Sequence, residues 1–294
     1  MPEVSVLDST MHYEASGEGT PIVFLHGNPG SSRMWRNILP RVEAGRLIAP
    51  DLIGMGRSGK PDIAYLFEDH ARYLDAWFDA LGLDNVVLVG HDWGGALAMD
   101  WARRHPDRVL GIAFFESVIK PIDGADFSEQ ARARTALIRT PGSGEELVLE
   151  HDTFVRQAYT GGVFTPVADD VMQGYLEPYP SSESRRPLLA WARQLPVDGE
   201  PAEVIATIRA YDEWLASSAL VPKLLLTFEG SPTLLITDPV IKWCRETISN
   251  LETEPCGAAG HHAAEDRPEE IAAAISNWLV RHALGARTQA PAEA

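Results

Sequence analysis

The chain has 294 residues, 45% of them hydrophobic and 23% charged, proportions that build a large core and exclude a disordered chain. Its net charge of −17, from 42 acidic and 25 basic residues, repels phosphate backbones and offers no basic run to an anionic membrane, so neither nucleic acid nor membrane is an expected partner. Two cysteines, Cys244 and Cys256, make no disulfide framework, and the start MPEVSVLDSTMHYE lacks the basic-then-apolar order of a signal peptide; the apolar runs fall short of the ~20 residues of a membrane span, so a soluble, cytoplasmic protein is expected.

In chain order, the first apolar run is Ile22 to Leu25, followed by the turn-rich His26-Gly27-Asn28-Pro29-Gly30. Leu47 to Ala49 is a second run. Phe67 to Leu81 reads as a helix, with Tyr73, Leu74, Trp77, Phe78 and Leu81 at helical spacing and Gly82 as the stop. Val86 to Val89 is a third run, and Ala96 to Arg104 the next helix, ended by His105-Pro106. Val109 to Phe115 is a fourth. Continuous apolar strands alternating with helices indicate a parallel sheet covered on both faces.

From about Lys120 to Ser218 the pattern changes to proline, glycine and aromatic residues with irregular periodicity. Strand signals return at Lys223 to Phe228 and Leu251 to Cys256, and Pro268 opens a helix over 269–282. One α/β core, residues 1–119 and 219–294, is therefore expected to carry a helical cap, residues 120–218, as a lid. The Ala- and Pro-rich tail from Gly285 is expected to be loose.

The sharpest chemical signal is Gly90-His91-Asp92-Trp93-Gly94-Gly95, directly after a strand and before a helix. Glycines around a central residue at this position form a tight elbow that exposes its side chain above the helix N-terminus. The centre is Asp92, a carboxylate already ionised at neutral pH. It needs no base to attack saturated carbon, and the attack leaves an alkyl ester on the enzyme. The competing reading is a simple helix cap.

Hydrolysis of that ester requires a base. His261 and His262 in Gly260-His261-His262 both qualify, and the residues alone do not choose. The base needs an orienting carboxylate. Glu116 follows the fourth strand directly and is preferred; Asp238, beyond Lys223 to Phe228, is the alternative. The loop at Asn28 can set a backbone N–H opposite that of Trp93, forming an oxyanion hole. No metal-spaced His/Cys cluster stands in the sequence, and no metal or organic cofactor is expected.

At these residues the sequence resembles the haloalkane dehalogenases of the α/β-hydrolase superfamily. The resemblance spans nearly the whole chain, through HGNPGSSRMWRNILP at 26–40, DLIGMGRSGKPD at 51–62, GHDWGGALAMDWARRHPDRVLGIAFFES at 90–117, RRPLLAWARQLPVDGEPAEV at 185–204 and GHHAAEDRPEEI at 260–271. It implies a mostly parallel eight-stranded sheet flanked by helices. It implies Asp92 as nucleophile, His261 as base by its spacing to Glu265-Asp266, Glu116 as acid, and Asn28 and Trp93 as the halide-binding pair. The substrates implied are a small haloalkane and water, the products alcohol, proton and a halide ion held as product ligand, and the chain a monomer or small homo-oligomer. Chemically, the Trp93 indole is donor only and the Asn28 amide adds two N–H donors, which suits a diffuse departing anion.

Three departures stand out. Ala264 replaces the usual Gln, Ala192 follows Trp191 where Pro is usual, and His262 occupies a usually apolar position. All three are expected to touch the pocket wall and entrance. Phe127, Phe154 and Trp191 are expected to line the pocket. Two other activities share parts of the pattern. An epoxide hydrolase would use acidic tyrosines, for which Tyr159, Tyr175, Tyr179 and Tyr211 are available. A coelenterazine-type luciferase would carry the same residues at the site.

Overall fold

The computed structural model describes residues 2–127 and 129–285; the tail expected to be loose lies, beyond Gly285, outside the described residues. Eight strands form one sheet: β1 (Glu3–Val6), β2 (Ser9–Gly17), β3 (Pro21–Leu25), β4 (Arg46–Pro50), β5 (Val86–His91), β6 (Val109–Phe115), β7 (Lys223–Glu229) and β8 (Leu251–Ala258). Their spatial order is β1-β2-β4-β3-β5-β6-β7-β8. β1 and β2 run antiparallel to their neighbours, and the rest of the sheet is parallel.

The four central apolar runs all became strands, because residues buried on both faces of a parallel sheet must be apolar at every position. All six residues of β5 are buried. β1 and β2 were not read from the sequence: β2, STMHYEASG, mixes polar residues into a half-exposed antiparallel strand. β8, read from the sequence at Leu251 to Cys256, is a parallel edge strand that also carries polar residues, with Pro255 tolerated at the sheet edge.

On one face of the sheet lie α1 (Phe67–Ala80) and α2 (Trp93–Arg104), whose apolar sides join Trp77, Phe78 and Trp101 in a single core. On the other face α11 (Pro268–Arg281) packs Ile271, Ile275, Trp278 and Leu279 against β3, β5 and β7 residues. α2 begins at Trp93, three residues before the sequence reading of Ala96, since Gly94 and Gly95 are poor helix formers whose smallness is needed here. A Cβ on Gly94 would lie 2.1 Å from the Leu25 carbonyl oxygen, and one on Gly95 1.9 Å from Ser117 Oγ.

Between β6 and β7 the described chain is helical: α3 (Glu129–Arg139), the single turn α4 (Ser143–Glu145), α5 (Thr153–Gly161), α6 (Asp169–Leu176), α7 (Arg186–Arg193) and α8 (Ala202–Ser217). After β7 come α9 (Asp238–Thr247) and, beyond β8, α10 (Ala263–Asp266). No helix among the described residues is long and apolar enough to cross a membrane. Cys244 and Cys256 are free and buried.

Candidate active site

The sheet order sets the site. Leu25 of β3 pairs with Gly90 of β5, and Gly90 pairs with Phe114 of β6. The residues just beyond this row, at the C-terminal strand ends, are Asn28, Asp92 and Glu116, where open α/β sheets gather functional groups.

Asp92 has φ 52° and ψ −125°, a strained backbone for a residue with a side chain. Its side chain makes no capping hydrogen bond to α2, so the helix-cap reading fails. Instead the Asn28 backbone N–H donates to Asp92 Oδ2 at 2.8 Å, and the Trp93 backbone N–H also supports the carboxylate. Gly27 lets the chain pass this close: a Cβ there would sit 2.3 Å from Asp92 Oδ2.

His261 lies in the loop between β8 and α10. Its Nδ1 is 3.1 Å from Glu116 Oε2, and its Nε2 is 4.0 Å from Asp92 Oδ1. Glu116 is buried at the tip of β6, also with positive φ, 46°. The backbone N–H groups of Leu235 and Ile236, beyond β7, donate to Glu116 Oε2 at 2.8 Å and Oε1 at 3.1 Å. A carboxylate with both oxygens so occupied is held rigidly against the imidazole. Asp238, the alternative partner, is exposed in the first turn of α9.

Burial pushes the Asp92 carboxyl above its ordinary range, opposed by His261 and by the two N–H groups. For His261 burial works the other way, but the hydrogen bond to Glu116 and the charge of Asp92 outweigh it and raise its pKa. His262 is different. It is buried, its pKa lies well below the ordinary value through burial, and its ring packs on Tyr159, with centroids 4.7 Å apart. His261, not His262, faces the carboxylates.

The halide pair is close at hand but not as free as the sequence suggests. Asn28 Nδ2 donates to the Leu188 carbonyl of α7 at 3.0 Å, so one of its two expected N–H donors is committed. The Trp93 ring is buried and meets Trp191 edge-on at 5.2 Å and Phe67 at 6.0 Å. Of the three expected pocket residues, Trp191 is thus in ring contact with Trp93. Phe154 faces Arg134, whose guanidinium carbon lies 5.2 Å from the ring, and half-buried Phe127 closes the short turn at 124–126.

Two of the departures are buried. Ala264 is buried in the core on the α11 side of the sheet, because α10 turns inward there. His262 lies behind the base, among His91, His261 and Tyr159. The sequence carries no metal-spaced His/Cys cluster, yet the fold gathers three histidines. His91, His261 and His262 offer ring nitrogens within 4.8 Å of one another, brought together from β5 and the 261–262 loop, which no local spacing could reveal.

Sequence reasoning used Glu265 and Asp266 only as a spacing mark; both tie other segments to the stretch that carries His261. Asp266 accepts N–H bonds from Gly260 at 2.8 Å and from Phe164 at 2.9 and 3.0 Å. Glu265 makes a two-pronged bond to Arg36, both arms 2.6 Å, and accepts from the Tyr175 hydroxyl of α6. The signal was there: two adjacent carboxylates after a histidine loop.

The family model described as the alpha/beta hydrolase fold matches residues 20–157. A haloalkane dehalogenase of Agrobacterium fabrum is 46% identical over 280 residues, covering 95% of this chain and 91% of that protein. The chain belongs to the haloalkane dehalogenase family. A relative from Mesorhizobium japonicum with the same name is 45% identical, covering 97% and 93%. Among solved structures, the dehalogenase DatA from Agrobacterium tumefaciens C58 superposes with a TM-score of 0.92 at 46% identity, covering 96% of each chain. The dehalogenase DbeA from Bradyrhizobium elkani gives 0.92 at 41%, covering 97% of this chain and 99% of that one.

Proposed function

We propose that this dehalogenase hydrolyses small haloalkanes through a covalent ester on Asp92, with residues 120–218 as the cap over the site and 1–119 with 219–294 as the core. The observation that carries the reading is the pairing of Asp92 Oδ2 with the Asn28 N–H while Oδ1 faces His261. With Oδ2 held, Oδ1 is the oxygen free to attack. It displaces the halide in line: the carbon–halogen bond breaks as the Oδ1–carbon bond forms. The Trp93 indole N–H and the remaining Asn28 side-chain N–H stabilise the leaving anion.

In the second step His261 Nε2 takes a proton from water, whose oxygen adds to the Asp92 acyl carbon. The 4.0 Å gap between Nε2 and Oδ1 is too long for a direct hydrogen bond and suits a base that acts through water. Negative charge then develops on Oδ2, already facing the Asn28 and Trp93 N–H groups. Collapse releases the alcohol, whose oxygen takes the proton from His261, and the hydroxyl that water added to the acyl carbon gives its own proton up to solvent, restoring the Asp92 carboxylate. Glu116 keeps Nε2 pointed at the water and stabilises the imidazolium. Alkylation also assists the base: the ester carries no charge, so the attraction that holds a proton on His261 weakens when a neutral imidazole is needed.

Trp191, in contact with Trp93, is the strongest candidate for the pocket wall; Phe127 and Phe154 are proposed with it. No residue in this scheme calls for a metal or organic cofactor, and the halide is bound only as product. Free buried thiols favour a cytoplasmic setting. The epoxide reading is weakened by its own tyrosines: Tyr175 is bonded to Glu265, Tyr211 to the Val118 carbonyl at 2.5 Å, and Tyr179 lies 3.5 Å from the Gly56 N–H. Halide release from a panel of chlorinated, brominated and iodinated alkanes tests the proposal. Release with recovery of the alcohol is expected; no release from any member, or epoxide opening or coelenterazine luminescence instead, overturns it.

A further inference from the structure

We propose that His91, His261 and His262 form a site for a zinc-type divalent ion, whose occupation stops catalysis by capturing the base. The three imidazoles place their ligand atoms within 4.8 Å of one another. Two of them are already arranged as metal ligands are. A ligating imidazole commonly donates its second ring N–H to a backbone carbonyl or a carboxylate, which fixes the tautomer and leaves the other nitrogen as a lone pair.

His91 meets that description. Its Nε2 lies 2.8 Å from the His261 carbonyl oxygen. A carbonyl only accepts, so Nε2 carries the proton and Nδ1 the lone pair. That Nδ1 is buried and has no hydrogen-bond partner, a costly state for a polar atom unless something binds it. His261 is pinned the same way, through Nδ1 against Glu116 at 3.1 Å, leaving Nε2 free. His262 completes the group, its ring centroid 5.0 Å from that of His261 and 5.8 Å from that of His91. Tyr159 backs it at 4.7 Å.

The charge balance favours a cation. Arg134 opposes it from the cap, but Asp92 and Glu116 both touch His261. Three imidazole nitrogens suit zinc, copper or nickel rather than magnesium or calcium. Zinc–nitrogen bonds of about 2.0–2.1 Å require the nitrogens to draw closer than 4.8 Å on binding. The third ligand is a property of this chain: His262 stands where the family resemblance leads one to expect an apolar residue. An ion on His261 Nε2 occupies the lone pair that would take the proton from water.

Equilibrium dialysis of the full chain against zinc sulfate in halide-free buffer tests the site, with His262→Phe and His262→Leu compared after melting curves confirm their fold. The wild type is expected to take up one Zn2+ per chain, and both variants to bind at least about tenfold more weakly. Zinc should also stop halide release by the wild type, with recovery on chelation, at concentrations the variants withstand. No zinc uptake by the wild type, or equal uptake by the variants, overturns the proposal. Uptake is read without turnover, so a chain that binds zinc but releases no halide would sink the dehalogenase mechanism and leave this site standing.

Discussion

At φ 52° Asp92 holds a conformation that costs on the order of 1–3 kcal/mol for a residue with a Cβ, and its carboxylate is buried besides. Both are tolerated because the Asn28 and Trp93 N–H groups and the His261 ring surround the charge. The coupling runs in both directions, since the Asp92 charge helps to raise His261. In an NMR titration His261 should therefore protonate above the ordinary histidine value in the wild type, and at lower pH in Asp92→Asn. An unshifted titration would contradict the coupling. The sign for turnover follows from the proposed mechanism: with neutral His261 required for ester hydrolysis, turnover is expected to be lost as pH falls through the His261 pKa of the alkylated enzyme, expected below that of the free enzyme because the Asp92 charge is gone. Trp93→Phe keeps most of the bulk and removes the indole donor. Loss of one donor at developing charge costs ~10²–10³ in rate, so the halide burst in stopped-flow should slow by that factor; an unchanged burst would remove Trp93 from the halide role.

The strand-to-helix elbow shows how far local sequence reaches. Asp92 between glycines, after β5 and before α2, was legible because tight turns demand small residues in fixed places. Glu116 was legible for a related reason, as a carboxylate ending a wholly apolar strand. Leu235 and Ile236 were not: they act through backbone N–H groups, and any residue but proline supplies one. The commitment of Asn28 Nδ2 to Leu188, 160 positions away, could not be read from spacing either. Gly94→Ala tests the elbow as an element. Its Cβ would strike the Leu25 backbone oxygen at 2.1 Å, a neighbour that cannot rotate aside. Denaturant melts should show a loss of about 1–3 kcal/mol, with activity falling as Asp92 is displaced; full stability would mean that β3 and α2 are free to separate.

Across the whole molecule, the core was easier to read than the segment above it. Parallel strands announce themselves as apolar runs, whereas the helices of 124–217 bury aromatic residues against one another in no simple period, as the stacked pair Tyr159–Tyr175 illustrates. What ties this segment to the base is a small ionic knot. Glu265 of α10 grips Arg36 from the loop after β3 and Tyr175 from α6. Glu265→Ala leaves Arg36 and Tyr175 without their shared acceptor, and should cost about 1–3 kcal/mol in an unfolding titration; an unaltered midpoint would show that the knot holds nothing. The central claim remains that a carboxylate is alkylated first and released by His261 afterwards. It is tested most directly by intact mass spectrometry of His261→Phe mixed with an alkyl bromide. The chain is expected to gain the mass of one alkyl group on Asp92 and to keep it; a folded variant that stays at its unmodified mass would contradict the account.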